Sequence, residues 1–158
     1  VKKFILAVMA VALLTMTGAA FAAGTATTNL SVTTNVQDAC RISSNPGTVD
    51  FGNYDPTDPS DNTAGQTSFG YKCSKGTNYK VYITRNNQML MGGADSLSYD
   101  LYSDASRTIV FPAIPADATQ QTSANNGVVT VNIYGKIPAG QDVSAGAHTE
   151  NDTITIEY

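Results

Sequence analysis

Hydrophobic and polar residues alternate along this chain in short runs, each closed by Gly, Pro, Asn or Asp. The clearest run sets Thr28, Leu30, Val32, Thr34 and Val36 on one face and Thr27, Asn29, Ser31, Thr33 and Asn35 on the other. Period two is the repeat of a strand, whose side chains point alternately to its two faces. The same reading predicts strands over 67–73, 79–84, 97–102, 127–134 and 153–158, with shorter ones at 48–51 and 109–111. Within 97–102, Leu97, Tyr99 and Leu101 should face one way and Ser98, Asp100 and Tyr102 the other. Loops are expected at 55–62, where Pro56 and Pro59 forbid regular pairing, at 86–95, which contains Gly92-Gly93, and at 112–126. No helical period of useful length follows the first two dozen residues. Enrichment in Thr, Val, Ile and Tyr, broken about every ten residues, predicts an all-β sandwich or barrel.

The first residues follow a different pattern. Val1-Lys2-Lys3 precedes an apolar run from Phe4 to Leu14, and small residues end in Ala20-Phe21-Ala22-Ala23. A positive start, a short apolar middle and an A-x-A site predict a secretory signal peptide over residues 1–22. The run is shorter than the roughly 20 residues of a spanning helix, which disfavours the alternative of a membrane anchor. The mature part is then expected to be 23–158, a length suited to one domain. Without Lys2 and Lys3, 7 basic residues stand against 13 acidic ones, a net charge of −6. An acidic chain with scattered cations is a poor electrostatic partner for nucleic acid. No basic amphipathic stretch suggests membrane-surface binding.

Cys40 and Cys73 are the two cysteines. An even count in an exported chain argues for a disulfide. Closing that loop of about 33 residues would stabilise the fold by roughly 3–4 kcal/mol by chain entropy. Two free thiols or half a metal site are the alternatives, and a metal would need further ligands where His148 is the single histidine.

Candidate chemistry is sparse. His148 lies in Gly146-Ala147-His148-Thr149-Glu150 with no nucleophile motif such as G-x-S-x-G, so a packing or surface role is expected and no catalytic residue is assigned. Asp55, Asp58, Asp61 and Asn62 are dense enough to suggest calcium, but lack the EF-hand spacing and read as a solvated loop. No metal or cofactor is expected. The last predicted strand would leave an open edge, a hazard that proteins must manage. The alternating strand before Cys40 has two options: to fold back, or to pair with another molecule by strand addition.

Several stretches carry a resemblance. They are Cys40 in a short strand after the expected signal peptide, Asp50-Phe51-Gly52-Asn53-Tyr54, Tyr71-Lys72-Cys73-Ser74-Lys75-Gly76, Leu97 to Asp104, Tyr134 to Gln141 and Asn151 to Ile156. In order and spacing the chain resembles the spore coat U domain family, and within it the subunits of archaic chaperone–usher pili. The resemblance implies an incomplete immunoglobulin-like sandwich, completed by donor-strand exchange, with residues 23–36 as donor strand and 37–158 as pilin domain. It implies a periplasmic chaperone, an outer-membrane usher and neighbouring subunits as partners, and a cell-surface location with roles in adhesion and biofilm formation. Such a head-to-tail contact does not close on itself and yields filaments. By analogy Leu30 and Val32 are the main donor side chains, flanked by Thr28 and Val36. The acceptor groove is expected to include Val129, Val131, Ile133, Ile154 and Ile156. A single domain of this length suits a shaft or adaptor subunit better than a tip adhesin. Two rivals remain: a spore- or cell-coat protein built on the same domain, and a monomeric binding module whose own N-terminal strand closes its sandwich.

Overall fold

In the computed structural model, which describes residues 24–91 and 95–158, alternating segments become strands where they find partners. The expected leader, 1–22, and the Gly92-Gly93 break lie outside the described residues. Nine strands are present among the described residues: β1 (Cys40–Ser44), β2 (Gln66–Cys73), β3 (Asn78–Thr84), β4 (Gln88–Met91), β5 (Asp95–Ser98), β6 (Asp100–Tyr102), β7 (Gln121–Thr122), β8 (Val129–Lys136) and β9 (Thr153–Glu157). They form one sheet ordered β1-β2-β8-β6, a second ordered β7-β3-β9, and the hairpin β4-β5. All these ladders are antiparallel. The protein is all-β, as its composition predicts.

The two larger sheets face each other across one core. Phe69, Tyr71 and Cys73 of β2 and Ile133 of β8 meet Tyr79, Val81 and Ile83 of β3. Period-two alternation explains the choice, since the intervening residues of β2 and β3 are exposed or half-buried, apart from the buried Gly70. Tyr71 and Tyr79 pack edge to face at 5.4 Å. The Tyr71 hydroxyl donates to that of Tyr79 (3.1 Å), which donates to Gln121 Oε1 (3.2 Å), so these hydroxyls enter the interior with partners. Cys40 and Cys73 lie opposite each other in the β1–β2 ladder and form a disulfide with Cα atoms 4.1 Å apart.

Phe51 completes the core in a less regular way. Residues 48–51, expected as a short strand, make no ladder. The Asp50 carboxylate takes the Gly52 amide (2.8 Å), and Gly52 has φ 63°, a turn that glycine adopts without strain. The Phe51 ring rests where Gly65 and Gly135 carry no Cβ; a Cβ on Gly65 would come within 2.8 Å of that ring. Packing of one aromatic against two glycines thus replaces strand pairing here.

Other boundaries also differ from the sequence expectation. The 86–95 loop instead contains β4 and the start of β5. The single strand expected over 97–102 is broken at Tyr99, and its halves join different sheets. Leu97, Tyr99 and Leu101 are all buried as expected of one face, but Tyr102, expected on the other, is buried as well. Residues 109–111 supply a single bridge, Val110 to Tyr102, in place of a strand. Residues 112–126 hold the two-residue β7. Gly24–Thr34 contains no regular strand, because a ladder requires a partner and none is present among the described residues.

Candidate functional site

The inner face of the sandwich is covered unevenly. Along β8, Val129, Val131 and Ile133 share one face, yet Ile133 is 2% exposed and Val129 42%. Ile154 and Ile156 of β9 lie opposite Ile83 and Val81 of β3 and are half-buried against the core. Ile42 of β1 is likewise 43% exposed. Apolar side chains directed inward but left wet mark a face lacking part of its cover. Among the described residues, β9 has a ladder partner on one edge only, β3, and β1 likewise pairs only with β2.

A trough lies along this region. One hollow of about 250 Å³ is lined by Thr48, Val49, Phe51, Ile83, Leu101, Ile133, Glu150, Asp152 and Ile154, among others. A second, of about 780 Å³, adjoins it through the shared residues Thr48, Val49, Phe51, Met89 and Glu150, and reaches Leu97, Ile137 and Val143. Of the residues expected for an acceptor groove, Ile133 and Ile154 line the first hollow. Val131 and Ile156 are half-buried at the core margin, and Val129 begins β8 opposite Tyr71.

The wall that continues β9 is held by polar contacts that sequence reading missed. Beyond the β3–β9 ladder, Leu90 and Thr149 exchange two backbone hydrogen bonds (3.0 and 3.2 Å). Between Thr84↔Thr153 and Leu90↔Thr149 the two sides have unequal numbers of residues, so the ladder must bulge. The Glu150 carboxylate fills that gap, accepting the amides of Asn86 (2.6 Å) and Gln88 (3.0 Å). Asn87 between them has φ 62° and donates to Asp100 Oδ1 at 2.5 Å. The signal for this in the sequence was slight: Asn86-Asn87 tolerate left-handed backbone, but their distant carboxylate partner is invisible without the fold.

Asp152 faces the trough from the same wall. The hydroxyl of buried Tyr99 donates to its Oδ2 at 2.8 Å. The residue as a whole is exposed, but its carboxyl is crowded by the trough wall. Desolvation, reinforced by the nearby Glu150 charge, raises the Asp152 pKa against the lowering effects of Tyr99 and Arg85. Burial first, and then the Asp152 hydrogen bond, pushes the Tyr99 phenol well above its ordinary value. The first hollow thus combines the apolar Val49, Phe51, Ile83, Leu101, Ile133 and Ile154 with the polar Thr48, Thr67, Glu150, Asn151 and Asp152.

The expected donor residues lie at the other extreme of exposure. Leu30, Val32 and Val36 are 86%, 84% and 81% exposed, and Thr28 is exposed too. Past Val36 the chain is fixed: Ser74 Oγ donates to Gln37 O (3.2 Å), Thr77 Oγ1 to Asp38 Oδ1 (2.9 Å), and the Ser74 amide to Ala39 O (2.8 Å). His148 is half-buried, with Nε2 3.0 Å from Ser144 O. Among the described residues no group of three or more His, Cys, Asp or Glu could hold a metal ion. Nor is any helix long and apolar enough to cross a membrane.

The Spore Coat Protein U domain model matches residues 26–157, nearly all of the described chain. The chain belongs to this family. Protein U of Myxococcus xanthus is 32% identical over 181 aligned positions, which cover 100% of this chain and 98% of that protein. Among solved structures, the fold matches a chain in the CsuC–CsuE chaperone–tip adhesion subunit pre-assembly complex from the archaic chaperone–usher Csu pili of Acinetobacter baumannii. The TM-score is 0.50 at 20% identity, covering 78% of this chain and 40% of that one, so this chain spans less than half of its neighbour's length. The likeness is one of fold. The Spore Coat Protein U domain is a family of structural proteins.

Proposed function

We propose that this protein is a structural, non-catalytic subunit of an extracellular pilus, exported through the periplasm and joined to its neighbours by strand donation. The observation that carries this reading is the pairing of two complementary defects. Ile154 and Ile156 of β9, a strand with one open edge, and Val129 and Val131 of β8 in the facing sheet lack full cover, while Leu30, Val32 and Val36 stand exposed on a segment of strand-like alternation. A strand from one copy laid on the β9 edge of the next would mend both. Burial of Leu30 and Val32 would contribute roughly 1.5–3 kcal/mol each, with the main-chain ladder adding to it. Before assembly the groove needs another cover, the role assigned to a periplasmic chaperone; an outer-membrane usher would exchange that cover for the donor strand. Attachment to surfaces and biofilm formation would follow from the fibre.

A coat protein using the same contact is the second reading, favoured by the full-length similarity to Protein U. Both readings require intermolecular strand donation. The test is an unheated SDS gel of the exported protein beside a variant lacking residues 24–36. A ladder that collapses on boiling and disappears with the deletion is expected. A folded monomer from the complete mature chain, stable without a chaperone, would refute strand donation in favour of a self-closed domain.

A further inference from the structure

The trough is not uniformly apolar, and its pattern has a counterpart in the donor segment. Along β9 and the residues just before it, Ile156, Ile154, Asp152 and Glu150 stand at every second position: Ile156 is half-buried against the core, Ile154 and Asp152 line the first hollow, and Glu150 lines both. Apolar, apolar, polar is the order. On one face of the donor the order is Leu30, Val32, Thr34, then Val36. Both series step by two residues, and strands share nearly the same rise, so a match at one position carries to the next. The ladders within this protein are antiparallel, so a strand added to β9 in the same manner runs with Leu30 toward Ile156 and Val36 toward Glu150.

We infer that Thr34 is a specificity-determining residue of subunit joining: its hydroxyl donates to Asp152 of the neighbouring copy, in the register that sets Leu30 beside Ile156 and Val32 beside Ile154. The inference rests on the strand-donation reading and adds register and selectivity to it. A shift of two residues one way puts Val32 against the Asp152 carboxylate. A shift the other way puts Thr34 beside Ile154 and Val36 against Asp152. Each leaves the Asp152 carboxylate facing a methyl group without the added donor, whereas Glu150, which Val36 meets in the favoured register, already accepts two backbone amides. Asp152 can take the new donor without giving up Tyr99, since a carboxylate has about four acceptor sites. The register also respects the tether, because Val36 is the last residue before Gln37–Ala39 are fixed to their own domain.

The test uses the complete chain exported from cells. Thr33 and Thr153 project to the outer side and would be opposite each other in this register. The double variant T33C/T153C should form a ladder that survives boiling and collapses with reductant. S31C/T153C and N35C/T153C, which report the two shifted registers, should not. Separately, Thr34→Val leaves the groove native and should speed dissociation of the SDS-resistant ladder about tenfold, the size of one hydrogen bond to a charged group. Thr34→Ser should restore the native rate. Locking through either shifted pair, or a Thr34→Val ladder as durable as the native one, overturns this inference and leaves strand donation standing. Absence of any heat-labile ladder from the native chain overturns both.

Discussion

Two stretches of this chain alternate equally well and end differently. Asn78–Thr84 becomes β3, which pairs with β7 and β9 and buries Tyr79, Val81 and Ile83. Thr28–Val36 has the same period but no ladder partner among the described residues, and its aliphatic side chains are exposed. Alternation therefore specifies a surface, with one face apolar and the other polar. Whether the surface becomes a strand depends on what lies beside it. The same contrast recurs inside β8, where Ile133 is covered and Val129, on the same face, is open.

The sharpest way to break this comparison is to truncate one side chain in each region. Phe69→Ala should cost about 3–5 kcal/mol in urea unfolding, because Phe69 is almost wholly buried. Leu30→Ala should change subunit unfolding by less than about 0.5 kcal/mol, as for an exposed site, while weakening the SDS-resistant ladder. Equal effects on unfolding would show that the 24–36 segment belongs to its own domain's core.

Next in size is the disulfide between β1 and β2. Replacing Cys40 and Cys73 together by Ser should cost roughly 3–4 kcal/mol, measured as a lowered denaturation midpoint. Glu150→Ala should cost about 1–3 kcal/mol, since two backbone amides lose their acceptor. If unfolding is unchanged, water replaces that acceptor and Glu150 does not hold the trough wall.

The smallest effect expected is a pH dependence of opposite sign at two aspartates. Hydrogen bonding, chiefly from the Ile109 amide, holds Asp104 below its ordinary value of 3.8. Its contribution to stability is present above that value and is lost as pH falls through the lower folded one. Asp152, raised by desolvation, behaves in the reverse way: stability declines as pH rises through its folded value. Asp104→Asn should flatten the acid limb of a stability–pH curve, and Asp152→Asn should remove a decline at higher pH. Unfolding curves collected across the acid range would expose either failure.

The legible parts of the fold were those where local pattern and tertiary demand agree. β2, β3, β8 and β9 lie within a residue or two of their expected positions, and the cysteine count anticipated the disulfide. The hairpin β4-β5 was not legible, because Asn86, Asn87 and Gln88 read as loop while Glu150, some sixty residues on, supplies the partner for their amides. The non-strand path of 48–51 was hidden for a similar reason: Phe51 is placed by two glycines on other segments, Gly65 and Gly135. At the candidate site, the expected groove residues are inward-facing aliphatics, whereas Phe51, Met89, Glu150 and Asp152 emerged only from the fold.

The amino-acid sequence by itself determined that the protein is all-β, which faces of its strands are apolar, and that one alternating segment precedes the first cysteine. These follow from local properties: the two-residue repeat of a strand, the chemistry of turn residues and the presence of paired cysteines. Which strands pair, that β9 keeps one open edge among the described residues, and that the carboxylates of Glu150 and Asp152 join the lining of the trough came only from the tertiary structure. Those features depend on residues far apart in the chain meeting across two sheets, and no short-range pattern records which partner each edge will find.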